Sequence, residues 1–511
     1  MTTYADLLVT QATDRPDKVF LRADSAAGPM STLTYAQLEE RSRSVGAGLQ
    51  RIGMRRGDRV AIAAPNELEW LELFFGAVRA GMIVVTLNVR YRESELEYML
   101  GQSGAKAVVS SATLGGFDYE AFYAGFGDRV RQVEHYFFIG GTRQGHRFED
   151  LYGDAADFVP PPLSPQDPAV ILYTSGTTGR PKGATLTHKS LIASGQAQRD
   201  HTGFGPDNVQ ISCMPLNHVG GITCAVTTCL IGGGECVMLP AYSPEGAIKA
   251  IAEHGGTNFG GVPTMWMLMI DHPSFSSYDT SSLREAVIGG SNAEPTLCRE
   301  ITEAFPGARL LNLYGLSESS GAAVLSAATD TLEDVSRYIG VAIGGVEARI
   351  VDVTGTVLGP GEAGELQLRC DGVAAGYWEM PEESAATFHP DGWLSTGDIA
   401  TMTQDGHIAL RGRLKEMYVQ GGYNVYPVEV ENVLTSHPAV AMAAGIGIAD
   451  EILGEVGRYF IVKQGETTEQ ELIDFCKERL ADYKVPRQIV FVDELPMTPA
   501  GKIAKAQLRN R

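Results

Sequence analysis

One stretch gathers the groups needed to hold a polyphosphate: Tyr173-Thr174-Ser175-Gly176-Thr177-Thr178-Gly179-Arg180-Pro181-Lys182-Gly183. Its four hydroxyls (Thr174, Ser175, Thr177 and Thr178) and its glycines can turn backbone N–H groups and side-chain oxygens onto one anion. Arg180 and Lys182 add positive charge for phosphate oxygens. A surface turn rich in Gly, Ser and Thr has a similar composition. Here, however, the segment follows Ala169-Val170-Ile171-Leu172-Tyr173, an apolar run that predicts a buried strand. A P-loop of the form G-x-x-x-x-G-K-[ST] does not fit. Counted from Gly176, Pro181 stands where the second glycine belongs, and Gly183 replaces the metal-binding hydroxyl.

The stretch resembles the signature of the acyl-adenylate-forming enzymes, which include acyl-CoA synthetases, non-ribosomal adenylation domains and beetle luciferases. Further motifs follow in that family's order. Asn312-Leu313-Tyr314-Gly315-Leu316-Ser317-Glu318 is similar to its Y-G-x-T-E element, with Ser317 keeping the hydroxyl of the usual Thr. The resemblance implies that Tyr314 stacks on adenine, that Ser317 meets the α-phosphate and that Glu318 holds Mg2+. Gly290, in the turn Gly289-Gly290-Ser291-Asn292, would border the adenine.

Asp398, after Gly392-Trp393-Leu394-Ser395-Thr396-Gly397, and Arg413, after Gly412, are similar to the ribose-binding pair. Pro499-Ala500-Gly501-Lys502-Ile503 resembles the catalytic-lysine loop, where Lys502 would bridge the attacking carboxylate and the α-phosphate. The implied catalytic set is Lys502, Thr174 and Glu318; the implied nucleotide contacts also include Ser175, Gly176, Thr177, Thr178, Gly179 and Lys182. Gln420-Gly421-Gly422-Tyr423-Asn424 would line the pantetheine tunnel through Gly421 and Gly422, and Lys484 and Arg487 would meet CoA phosphates. His218, in Met214-Pro215-Leu216-Asn217-His218-Val219-Gly220-Gly221, and Gly261 would border the acyl pocket.

These residues need a scaffold, and the first third predicts one by alternating helix and strand patterns. A helix capped by Thr34 runs to about Gly53, Val60–Ala64 is a strand, and residues 67–80 form a helix. Residues 82–87, 107–109, 236–239 and 286–288 read as strands, and residues 93–100 as a helix. Such alternation predicts parallel sheets covered by helices. The expected fold class is α/β, with a large N-terminal domain of helix-covered sheets and a small mobile C-terminal α/β domain. Arg411-Gly412-Arg413-Leu414-Lys415-Glu416 reads as a charged linker. The boundary is placed at the hinge Lys415, giving residues 1–414 and 415–511. A pivot there would let one nucleotide site serve two half-reactions.

At 511 residues the chain exceeds a single core. A formal charge of −21 argues against a nucleic-acid partner. Seven cysteines without a C-x-x-C pair suggest free thiols in a reducing compartment. The start of the chain shows no basic and apolar leader, and the apolar window 70–89 is interrupted by Glu72 and Arg79. A cytoplasmic protein without a transmembrane segment is expected, and the resemblance admits a homodimer.

The implied activity is that of an ATP-dependent, AMP-forming acid–CoA ligase, using ATP, Mg2+ and coenzyme A with a small-molecule carboxylic acid. The stretch around His218 carries no acidic residue to pair with a substrate ammonium, so an apolar fatty or aryl acid is expected. Two alternatives stay open: an adenylating enzyme that loads a carrier protein, and a luciferase-like oxygenase.

Overall fold

The computed structural model describes residues 2–141, 145–174, 180–290, 293–421, 423–497 and 503–509, and only the backbone at Asn424. The chain forms two compact units. One comprises Met1–Glu347 with Leu368–Leu394, and the other Ala348–Gln367 with Ser395–Arg511.

The first unit is built on two large sheets. In the seven-stranded sheet the order is Lys182–Thr187, Pro168–Thr174, Ile83–Thr86, Arg59–Ala63, Ala107–Ser111, His135–Ile139 and His146–Arg147. All pairings in it are parallel except that of the first two strands. The strand Ile83–Thr86 is buried throughout, as expected for a parallel strand covered on both faces. The nine-stranded sheet runs from Val341–Ala342 through Gly321–Leu325, Arg309–Leu316, Glu285–Gly289, Asn258–Gly261, Val209–Ser212 and Glu235–Met238 to Val19–Ser25 and Gly28–Thr34. The predicted elements of the first third are therefore present, with ends shifted by up to three residues.

The helix Tyr35–Arg51 begins with a capping box between Thr34 and Gln37. The helix Leu68–Arg79 is buried on all sides, not on one face only. Its position in the main core explains why even Glu69 and Glu72 lie inside.

The second unit holds most of a four-stranded sheet, Glu347–Val351, Gly364–Arg369, Leu394–Met402 and Ile408–Arg413. It also holds a five-stranded sheet built around the long hairpin of Val440–Asp450 and Gly454–Lys463. Arg411, Gly412 and Arg413, read from sequence as linker, are strand. The chain turns at residues 414–416, where Lys415 is exposed. A strand was missed there because alternating charges hide the register, which is supplied by the partner strand Leu394–Met402.

Glu67, just ahead of the helix Leu68–Arg79, has no hydrogen-bond partner for Oε1 among the described residues. Burial, with Glu69 and Asp24 nearby, pushes its carboxyl up from 4.5 to about 8. The folded chain thus holds a proton that the unfolded chain releases, so this group lowers stability as pH rises from about 4.5 to about 8. Glu67→Gln is expected to melt close to the parent at pH 5 and to be more stable by about 1–3 kcal/mol at pH 9. Denaturant titrations at the two pH values check this, and a gap that does not widen with pH contradicts it.

Candidate active site

The strand Pro168–Thr174 leaves the sheet interior at Thr174, and the chain returns as Lys182–Thr187, with Thr174 and Lys182 directly paired. Both flanks of the intervening segment are held by the helix Glu93–Ser103. The Tyr173 hydroxyl donates to the Met99 carbonyl at 3.0 Å and to Gln102 Oε1 at 2.6 Å. The Tyr98 hydroxyl donates to the Pro181 carbonyl at 2.9 Å, and the Arg180 guanidinium stands 5.9 Å from the Tyr98 ring centre. Ser175, Gly176, Thr177, Thr178 and Gly179 lie outside the described residues.

Next to this hairpin stands a second one, Arg309–Leu316 with Gly321–Leu325, whose turn carries Ser317 and Glu318. Gly315 is obligatory here, because a Cβ on it would lie 2.0 Å from the Gly321 carbonyl oxygen. Ser320 takes φ 57°, a left-handed conformation rare for a residue with a side chain, and Ser319 Oγ bonds back to Leu316 and Gly321 to close the turn. Tyr314 is buried in the strand, opposite Val324.

The two hairpins bring Thr174, Lys182 and Glu318 together. Thr174 Oγ1 lies 3.5 Å from both the Lys182 carbonyl and Glu318 Oε1. The Tyr377 hydroxyl donates to Glu318 Oε1 at 2.8 Å, and Lys182 Nζ sits 4.9 Å from the centre of the Tyr377 ring. Burial and the adjacent Glu318 carboxylate push the Tyr377 phenol well above its ordinary range, so it remains a donor. A cation, hydroxyls and a carboxylate so placed can hold a phosphate chain together with a hard cation. Gly290 lies one residue beyond the strand Glu285–Gly289 with φ 82°.

In the stretch expected from sequence to border the acyl pocket, the segment after the strand Val209–Ser212 turns at residues 215–218 and enters a π-helix, Gly220–Thr227, an irregularity often associated with sites. His218 Nδ1 accepts from the Gly220 N–H at 3.0 Å, which puts the ring proton of the neutral form on Nε2. Gly261 ends its strand with Met265 Sδ 3.4 Å from where a Cβ would be, and Cys213 Sγ is 3.8 Å from that sulfur. The strands Val209–Ser212 and Asn258–Gly261 are adjacent and parallel, so the His218 segment and Gly261 lie at the same end of the sheet. Asn66, buried, ties this end down through the Met214 and Leu239 carbonyls and the Leu216 N–H.

In the second unit, Asp398 and Arg413 are register partners across two strands and form an ion pair at 3.0 Å, with Asp398 buried and Arg413 exposed. Gly421 (φ 59°) turns the chain between Tyr418–Gln420 and Tyr423–Val425, and its N–H donates to the Leu453 carbonyl at 2.8 Å. Gly422 and Lys502 lie outside the described residues. Lys484 pairs with Glu429.

Residues 8–378 match the AMP-binding enzyme family, and residues 429–502 match the AMP-binding enzyme C-terminal domain. The mitochondrial medium-chain acyl-CoA ligase ACSF2 of Mus musculus is 34% identical over 94% of this chain and 83% of its own length. The feruloyl-CoA synthase of an Amycolatopsis species is 34% identical over 94% of each chain. ATP-bound MatB from Rhodopseudomonas palustris superposes with a TM-score of 0.89 at 29% identity, covering 100% of this chain and 99% of that one. The chain belongs to the AMP-binding enzyme family, as an AMP-forming acid–CoA ligase. Among the described residues no helix is long and apolar enough to cross a membrane.

Sequence reasoning missed Tyr377, Gln102, Asn66 and Lys505, since nothing in their local spacing marks them. Lys505 is the clearest omission. Its ammonium bridges Glu416 and Glu431, each at 2.7 Å, and Glu431 Oε1 also accepts from the Gly445 N–H. Burial pushes the Glu431 carboxyl up while Lys505 pulls it down. Lys505→Met strands the inner carboxylate and is expected to destabilise the second unit by on the order of 3 kcal/mol, seen as an early thermal transition. Adding Glu431→Leu recovers most of the loss; a double variant as unstable as the single one contradicts the pairing argument.

Proposed function

We propose that the chain activates an apolar carboxylic acid, fatty or aryl and lacking an α-amine, as acyl-AMP and then passes the acyl group to CoA. The observation that carries this reading is the convergence of Thr174, Lys182 and Glu318 where the two hairpins meet. In the first step a substrate carboxylate oxygen attacks the α-phosphorus of ATP and pyrophosphate leaves. In the second, the CoA sulfur attacks the acyl carbon, its proton passes to water, and AMP leaves with the bonding electron pair.

Lys182 and the hydroxyls around residues 175–179 would neutralise and orient the phosphates before attack. The Glu318 carboxylate, beside the Thr174 and Tyr377 hydroxyls, offers the hard oxygen donors that Mg2+ prefers, and so fits that ion. Bound there with phosphate oxygens and water, the ion would offset phosphate charge. Tyr314 would take the adenine and Ser317 the α-phosphate. Asp398 would meet the ribose hydroxyls while sharing its carboxylate with Arg413.

We assign Lys502 to the first half-reaction and Gly421 with Gly422 to the second, the C-terminal residues turning at Lys415 between them. The turn at 414–416, with Leu414 and Lys415 exposed, supports this hinge. An acid without an amine is supported by the methionine-lined side of the sheet at Gly261 and by the lack of an acidic residue in residues 214–221. The ACSF2 ligase, named for medium-chain acids, and the feruloyl-CoA synthase fit the same substrate class. The seven cysteines are all free, which supports a reducing compartment such as the cytoplasm.

Pyrophosphate release across a panel of fatty, aryl and amino acids, with and without CoA, tests the reading. Fatty or aryl acids are expected to drive release, and robust turnover of amino acids overturns the substrate class. Lys502→Ala is expected to slow adenylation by ~10²–10³ while leaving thioester formation from supplied acyl-AMP largely intact. Equal losses in both half-reactions contradict the division of labour. Gly422→Leu should do the converse, with pyrophosphate appearing in one turnover while acyl-CoA does not.

A further inference from the structure

We infer that Tyr377 is a positioning residue for metal–nucleotide binding, holding the Glu318 carboxylate so that one chosen oxygen faces the ligand; this rests on the proposed role of Glu318 above. Both neighbouring hydroxyls address the same atom. Tyr377 donates to Oε1 at 2.8 Å and Thr174 stands 3.5 Å from it, while among the described residues Oε2 accepts no hydrogen bond. A carboxylate on a short turn has free side-chain torsions, and one strong charge-assisted bond removes that freedom.

Tyr377 can do this because its own backbone is locked. Residues 375–378 run beside the strand Lys182–Thr187: the Ala375 N–H donates to Thr185, the Thr185 N–H to Gly376 and the Trp378 N–H to Gly183, at 2.7–2.9 Å. The preceding residue, Ala374, donates its N–H to the Glu318 carbonyl at 2.8 Å. Ser384 Oγ accepts from the Tyr377 N–H at 2.9 Å, and the Phe388 ring packs against the phenol edge-on, with centroids 5.2 Å apart. Gln102 fastens the far end by donating to the Trp378 carbonyl at 2.6 Å. The one ring therefore touches groups of opposite charge, Glu318 through its hydroxyl and Lys182 through its face, and sets how far apart they stand.

Two variants separate the two contacts. Tyr377→Phe keeps the ring under Lys182 and removes only the donor. ATP affinity without metal, measured by calorimetry, is expected to stay within about twofold of the parent. The affinity of the enzyme–ATP complex for Mn2+, read by electron paramagnetic resonance, should fall roughly tenfold, a loss of ~1.4 kcal/mol. The Mg2+ concentration giving half-maximal pyrophosphate release should rise by the same factor. Tyr377→Leu also removes the ring face and should weaken metal-free ATP binding. In a Glu318→Gln background, Tyr377→Phe should change Mn2+ affinity no further, and this control stands even where the single variants melt early. Unchanged Mn2+ affinity in Tyr377→Phe, or an equal loss in the Glu318→Gln background, overturns the inference. A parent enzyme that binds Mn2+–ATP but releases pyrophosphate with no acid refutes the proposed activity instead, and leaves the Mn2+ comparison valid.

Discussion

A loop that gives its backbone N–H groups to phosphates cannot also use them to hold itself, so its shape has to be imposed from its ends. For residues 175–179, proposed above to cradle phosphates, the described flanks are fixed by the direct pairing of Thr174 with Lys182 and by the helix Glu93–Ser103 alongside. Tyr98 grips the exit at Pro181, and Tyr173 grips the entry by reaching Met99 and Gln102. Gln102 extends the same support to Trp378, beside Tyr377. A single helix thus braces the strand that enters the site, the strand that leaves it and the segment that orients its carboxylate. Hydroxyls and amides make these contacts, and their directionality fixes positions that apolar packing alone leaves loose.

Charge is handled by separation and by local pairing. The chain is acidic overall, yet the site keeps Lys182 against an aromatic face and, among the described residues, gives Glu318 neutral donors, not a cation. An Arg or Lys bonded to Glu318 would compete with any metal for the same oxygens; a phenol positions the carboxylate without cancelling its charge. In the second unit the opposite solution appears. Asp398 and Arg413 neutralise each other across paired strands, and Lys505 neutralises two carboxylates at once. Since Glu416 follows the exposed Lys415, this ammonium ties the C-terminal helix to the turn proposed as a hinge.

The side proposed to take the acid uses softer materials. Met214 lies against Gly220 and Met265 against Gly261, with Cys213 on the Met265 sulfur, and thioether side chains adapt to varied apolar shapes. The backbone around His218 is firmer, because Asn66 satisfies Met214, Leu216 and Leu239 together. A rigid frame with adaptable lining suits a family whose relatives act on both medium-chain acyl and feruloyl groups, as their names state.

Much of this was legible in the amino-acid order because it depends on neighbours along the chain. The apolar run Ala169–Tyr173 marks the strand Pro168–Thr174; Thr34 ahead of Gln37 marks a helix start; apolar runs between turn residues mark buried strands. The charged residues 411–413 misled, since a strand at that place is defined by its partner and not by its own pattern. What tertiary structure alone decided are the pairings between distant residues. Tyr377 meets a carboxylate 59 positions away, Gln102 meets Trp378 across 276, and Lys505 meets Glu416 across 89. No periodicity encodes such contacts. A side chain's chemical type is written at its own position, but the partner it orients depends on which strands the sheet has brought side by side.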